Sequence, residues 1–71
     1  MSQNPVPVKT TLSTREIDVL RLLIEGNKSR EIGNKLGISE LTVQTHRRNM
    51  MRKLDVNFAG LIAWGIRHKV A

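Results

Sequence analysis

Side chains that could read nucleic acid recur at helical spacing in residues 39–54. Gln44, Thr45 and Arg48 are one to four residues apart, so a helix would carry them on one side. Arg and Gln suit the major groove of DNA, because they form paired hydrogen bonds with guanine and adenine edges. The apolar residues of the segment would form a separate stripe: Val43, Met50 and Leu54. These two faces predict a recognition helix.

The polar stripe has a basic border. Arg52 continues the stripe, Arg47 and Lys53 widen it, and Ser39 can cap the amino end of the helix. The same pattern also fits a helix whose charged side is only solvated, as is common in soluble proteins. The segment upstream favours DNA recognition, because it predicts a helix followed by a tight turn.

The first helix has clear start and stop signals. Ser13 and Glu16 form an S-x-x-E capping box, and Gly26 is a typical carboxyl-terminal stop. A helix is therefore predicted over residues 14–25. The cap also explains Glu16 better than a role as a general acid.

A second helix is predicted over residues 28–36, with Asn27 or Ser29 as its cap. A three-residue turn follows from Gly37, as helix-turn-helix connections prefer. The recognition helix should then occupy residues 40–54.

The last helix is predicted over residues 58–69, after Asn57 as its cap. Its expected buried stripe repeats every four residues: Phe58, Ile62, Ile66 and Val70. Leu61 is expected to lie beside this stripe. Trp64 lies off the middle of this stripe. It could cover the edge of the core or form a dimer contact, since Trp is enriched in interfaces.

No set of residues points to catalysis. His46 and His68 are far apart in the chain, and cysteine is absent. No Gly-rich phosphate loop or metal-ligand spacing is present either. We therefore expect no enzyme, no metal site and no cofactor. A hydrogen bond to phosphate or a packed, half-buried ring is the expected role of His46.

Length and composition limit the chain to one small domain. With 71 residues it is expected to have a tail or linker over residues 1–11, which contain both prolines, and a folded domain over residues 12–71. A fusion scar at the first two residues fits as well. No apolar run approaches the ~18 residues of a membrane span, and no signal peptide opens the chain. A soluble, cytoplasmic protein is expected.

The charge of the chain is strongly positive and unevenly distributed. The formal net charge is +6, and residues 27–71 hold nine Lys or Arg against three acidic residues. Such an excess favours a polyanion such as nucleic acid, although an anionic membrane surface would also attract it.

The sequence also matches a known pattern in several places: Leu12-Ser-Thr-Arg-Glu16, Val19-Leu20, Glu31-Ile32, Ile38-Ser39, Thr42-Val43, His46, Asn49 and Lys53-Leu54. In these residues the chain resembles the LuxR-type (FixJ/NarL) helix-turn-helix domain. This domain is the carboxyl-terminal output domain of many bacterial two-component response regulators and quorum-sensing regulators. The resemblance extends from Leu12 to about Val70.

The resemblance implies an all-α, four-helix domain whose second and third helices read DNA. It assigns base contacts to Gln44, Thr45 and Arg48. With the basic border of the recognition helix, the expected DNA backbone contacts are Lys28, Ser29, Arg30, Thr42, His46, Arg47, Asn49, Arg52 and Lys53. The fourth helix is expected to dimerise, with Leu61, Trp64 and His68 as interface candidates. Relatives often carry Lys at the position of Gln44, so a shift of preference towards adenine is expected.

The expected partners are double-stranded DNA with a palindromic operator, a second copy of the chain, and RNA polymerase, but no membrane. Two other interpretations compete. A promoter-binding part of a sigma factor has a similar first helix, but Thr42, Val43, His46 and Asn49 argue against it. A protein-interaction module could dock on polymerase or an acidic partner through its last helix. Whether the chain stands alone or follows a receiver domain stays open.

Overall fold

The computed structural model describes residues 12–70, and the predicted tail over residues 1–11 lies outside them. Four helices follow one another: α1 (Thr14–Ile24), α2 (Ser29–Leu36), α3 (Glu40–Leu54) and α4 (Phe58–Arg67). The described residues contain no strand. The predicted all-α, four-helix fold is confirmed.

Each helix boundary has a local cause. α1 ends at Ile24, because Gly26 turns the chain with a φ of 100°. α2 begins at Ser29, one residue later than predicted, and its cap is neither Asn27 nor Ser29. The cap is Lys28, whose amide donates to the Glu31 carboxylate at 2.7 Å. The Asn27 side chain donates instead to the carbonyl of Leu22.

α4 is shorter than the predicted range of 58–69. It ends at Arg67, because His68 is its carboxyl-terminal cap and Lys69 has a φ of 60°. Its amino end follows the sequence pattern, since the Asn57 side chain accepts the Gly60 amide at 2.8 Å.

The core lies where α1, α3 and α4 meet, and α2 covers its side against α1 and α3. Its fully buried side chains come from all four helices: Val19, Leu20, Ile32, Val43, Met50 and Leu61. Both apolar faces of α1 and α3 therefore point into the same interior. This arrangement fixes which side of α3 remains in water.

The predicted buried stripe of α4 is wrong at two of its four positions. Phe58 and Ile66 are 42% and 59% exposed, whereas Ile62 and Val70 are half-buried against the core. The buried side of α4 is formed by Leu61, Trp64 and Gly65. The reason is the close approach of α4 to α1 at Gly65. A Cβ atom there would lie 2.6 Å from Cδ1 of Ile24, so the glycine lets α4 turn a different side to the core.

A second close approach sets the angle between α2 and α3. Gly37 ends α2 with a φ of 72°, and the Ile38 carbonyl that follows lies against Gly33. A Cβ atom on Gly33 would be 2.6 Å from that carbonyl oxygen. The turn can therefore fold tightly over α2 and place Ser39 at the start of α3.

Glu16 connects the first helix to the third. Its carboxylate accepts the Ser13 amide at 2.8 Å, while the Ser13 hydroxyl accepts the Glu16 amide at 3.1 Å. The Lys53 ammonium of α3 donates to both oxygens of the same carboxylate, at 2.9 and 3.1 Å. One buried carboxylate thus caps α1 and holds the carboxyl-terminal end of α3.

This environment shifts the pKa of Glu16 below its ordinary value of 4.5. Burial by itself raises the pKa of Glu16. The hydrogen bond from the Ser13 amide, together with the hydrogen bond and the positive charge of Lys53, lowers the pKa by more than burial raises it. The ionised form therefore stabilises the fold above about pH 4.5, and this contribution is lost as the pH falls through the lower pKa of the folded state.

We predict that Lys53→Met lowers the free energy of unfolding by about 1–3 kcal/mol at pH 7, because it leaves a buried carboxylate without its cation. The difference from the wild type should shrink as the pH falls below 4.5 and through the lowered pKa of Glu16, where the carboxylate becomes protonated in the folded protein. Urea denaturation of both proteins at several pH values measures this difference.

Lys35→Met is the matched control for that experiment. Lys35 is exposed on α2 and has no ion pair among residues 12–70. Equal stability of the two variants at pH 7 would contradict the structural role of Lys53.

Candidate nucleic-acid interface

The outer side of α3 presents the predicted polar stripe to solvent. Thr45, Arg48 and Arg52 are exposed and Gln44 is half-buried, while Val43 and Met50 on the opposite side are fully buried. No other helix among the described residues covers the stripe. Its side chains are therefore free to meet a ligand that approaches α3 from outside.

The amino end of α3 is fixed by its cap. The Ser39 hydroxyl accepts the Thr42 amide at 3.0 Å and lies 2.9 Å from the Thr42 hydroxyl. One turn later, the Gln44 amide group donates to the Glu40 carboxylate at 3.5 Å. This long hydrogen bond orients Gln44 but leaves its carbonyl oxygen and one N–H available.

Beside the stripe lies an open pocket of about 510 Å³, where α2, α3 and the start of α4 meet. Three cationic residues line it: Lys28, Arg30 and Arg47. The Arg47 guanidinium lies 5.0 Å from the centre of the Phe58 ring, which holds it by a cation–π contact. The pocket thus joins the start of α2 to the middle of α3.

The polar residues around this pocket differ in exposure. Ser29 is only 8% exposed and lies in the pocket wall, while Lys28 and Arg30 are exposed on either side of it. On α3, His46 and Asn49 are half-buried. Asn49 accepts a hydrogen bond of 2.6 Å from Arg52 and thereby steadies that guanidinium.

The arginines on this side form no ion pair among the described residues, although Glu40 also lines the pocket. Among residues 12–70, the acidic partners in ion pairs are Asp18, which binds Arg15 and Arg21, and Glu16. None of the arginines of α2 or α3 takes part in an ion pair within that range. The outer surface of α3 and the start of α2 therefore form a positive surface that suits an anionic partner.

Lys53 has an intramolecular partner in α1. Its ammonium is bound by both oxygens of the buried Glu16, so it holds α3 to α1, while 40% of its side chain remains exposed. No local pattern predicts this pair, because the two residues are 37 positions apart in the chain. The contact of Lys53 with the DNA backbone stays a prediction.

The burial of two of the three predicted dimer contacts argues against them. Leu61 is fully buried and Trp64 is 7% exposed, so the folded domain presents almost none of either side chain to a partner. His68 is exposed, but its ring stacks on Trp64 with centroids 4.2 Å apart and its Nδ1 lies 2.9 Å from the Trp64 carbonyl oxygen. Trp64 therefore covers the edge of the core, one of the two roles predicted for it.

Residues 12–70 contain no cluster of three or more His, Cys, Asp or Glu side chains that could bind a metal ion. Within the same range, no helix has the length and apolar character needed to cross a membrane.

Comparison with known proteins gives a consistent result. A family described as "Bacterial regulatory proteins, luxR family" matches residues 10–59. The transcriptional regulatory protein MctR of Rhizobium johnstonii is 40% identical over 60 residues, which cover 83% of this chain and 28% of MctR. The nitrate/nitrite response regulator protein NarP of Escherichia coli is 47% identical over 47 residues, or 66% of this chain and 22% of NarP.

A third relative has similar identity. The transcriptional regulatory protein LiaR of Bacillus subtilis is 42% identical over 55 residues, which cover 78% of this chain and 26% of LiaR. The chain thus spans less than a third of the length of each of these relatives.

Proposed function

Because the chain belongs to the luxR family of bacterial regulatory proteins, we propose that it reads operator DNA as the output domain of a response regulator. The family consists of DNA-binding domains of transcription regulators, and membership confirms the prediction that the chain is not an enzyme. A role on bacterial DNA also assigns it to the cytoplasm.

The observation that carries the proposal is the uncovered polar stripe of α3 beside arginines that form no ion pair among the described residues. α3 enters the major groove, where Gln44, Thr45 and Arg48 contact base edges. Arg48 suits guanine and Gln44 suits adenine, because each can form two hydrogen bonds with that base. The buried opposite side of α3 keeps the helix from rotating, so the same three side chains always face the groove.

The DNA backbone is held on both sides of these bases. Lys28, Ser29 and Arg30 at the start of α2 bind phosphates at the pocket, together with Arg47. The other backbone contacts lie along α3: Thr42, His46, Asn49 and Arg52. Such contacts fix the position and register of the protein but carry no sequence information.

Two copies bind a palindrome through their α4 helices. The buried Leu61 and Trp64 leave a different surface for this contact, which we call the outer face of α4: Ala59, Ile62, Ala63 and Ile66. Ile66 is 59% exposed, the two alanines are exposed and Ile62 is half-buried. Small residues beside an exposed Ile allow two helices to approach closely.

Selection of bound duplexes from a random DNA pool tests the proposal most directly. A sequence-specific domain should enrich a short motif, and a dimer should enrich two inverted copies about one helical turn apart. Enrichment of no motif would reject sequence-specific binding.

We predict that Arg48→Ala lowers affinity for the selected motif by about 1–3 kcal/mol and relaxes base preference at one position. Arg47→Ala should weaken binding to all sequences about equally, because Arg47 contacts phosphate. Fluorescence anisotropy with the motif and its single-base variants separates the two effects. The reverse result would contradict the assignment of these two side chains.

We further predict a steep dependence on salt. If Lys28, Arg30, Arg47 and Arg52 each neutralise one phosphate, log K should fall with log salt at a slope of about −3.6 per domain. Affinity should then drop about a hundredfold between roughly 50 and 200 mM salt. A slope near zero would contradict the phosphate contacts.

Ile66→Glu should abolish cooperative binding to the palindrome and leave binding to an isolated half-site nearly unchanged. A carboxylate at a dimer contact is costly, because it loses water without gaining a partner. Gel-shift titrations on both duplexes measure the change, and Thr14→Glu adds the same charge on α1 as a control. Retained cooperativity in Ile66→Glu would exclude the outer face of α4.

A further inference from the structure

Leu41 is the most exposed of the large apolar side chains in the described part of the chain. It is 74% exposed, against 59% for Ile66 and 42% for Phe58. Leu41 is the second residue of α3 and follows directly on the capped start of the helix. The other apolar side chains of α3 are fully buried (Val43 and Met50) or half-buried against the core (Met51 and Leu54).

The position of Leu41 on α3 is more informative than its exposure. Gln44, Thr45 and Arg48 follow it at steps of three, four and seven residues, which are the spacings of one helical side. Leu41 therefore extends the proposed base-reading stripe by one turn towards the amino end. In helix-turn-helix proteins, the amino-terminal residues of the recognition helix are the ones that contact base edges.

The chemistry of the side chain restricts what it could contact there. An isobutyl group neither donates nor accepts hydrogen bonds, so it cannot pair with a phosphate or with a polar base edge. Placed against such an edge it would displace water without replacing the lost hydrogen bonds. In the major groove one natural base offers an apolar group, the C5-methyl of thymine.

We propose that Leu41 is a specificity-determining residue that contacts a thymine C5-methyl in each half-site. This inference depends on the proposed function, since it requires α3 to lie in the major groove. Leu41 would add one position at which the protein selects thymine, because the leucine buries the thymine methyl group. Gln44, Thr45 and Arg48 read the neighbouring base pairs by hydrogen bonds.

The probe is the duplex motif that the wild-type protein selects from a random pool. Each thymine is replaced in turn by deoxyuridine, which lacks the methyl group and keeps every hydrogen-bonding atom. Wild-type protein should lose about fourfold in affinity at one thymine per half-site, the value of one buried methyl-sized group. Leu41→Ala should bind more weakly and show no loss at that same thymine.

Three controls make the result specific to this contact. Leu41→Met keeps an apolar side chain and should retain most of the deoxyuridine effect. Any other thymine whose methyl affects binding should keep its effect in Leu41→Ala. Leu41→Lys should select guanine in place of thymine at the position in question, because Lys pairs with guanine O6 and N7.

The outcomes separate this inference from the proposed function. Enrichment of no motif rejects the proposed function, and this inference with it. Two other results overturn only the contact with Leu41. In one, replacing thymines by deoxyuridine never weakens wild-type binding to the motif. In the other, the loss of affinity on replacement is the same for Leu41→Ala as for the wild type. Since Leu41 is exposed, urea denaturation should show that the variants fold as stably as the wild type.

Discussion

The structure depends on how one helix divides its surface between the core and water. α3 must bury Val43 and Met50 completely while it leaves Arg48 and Thr45 in solvent, and a small rotation would compromise both sides. Glu16 prevents that rotation at one end, because its buried carboxylate binds Lys53 of α3 and caps α1 at once. At the other end, the close approach of the Ile38 carbonyl to Gly33 fixes the turn from which α3 starts.

This division also separates the basic residues by role. Lys53 is neutralised by Glu16, whereas the arginines of α2 and α3 have no acidic partner among the described residues. The positive charge is thus removed at the place where α3 meets α1 and retained where α3 faces outward beside the pocket at the start of α2. A polyanion that approaches from this side meets the retained charge first, which would favour both binding and fast association.

Gly65 determines which side of α4 packs against α1. Because Gly65 lets the helix lie close to α1, Leu61 and Trp64 go into the core and Ile66 is left outside. The side of α4 with the strongest apolar repeat is therefore partly exposed, and it is the surface available for a second copy. The other strongly exposed apolar side chain, Leu41, lies on the stripe of α3 that would enter the groove.

The sequence by itself determined the four helices, the caps at Ser13, Ser39 and Asn57, and the two faces of α3, because each depends on residues within one or two turns of each other. It also contained the pattern that identifies the family. Only the tertiary structure decided the partner of Lys53, the buried side of α4 and the joining of α2 and α3 at one pocket. These features depend on contacts between distant residues and on the distance at which helices approach each other, and local spacing carries no information on either.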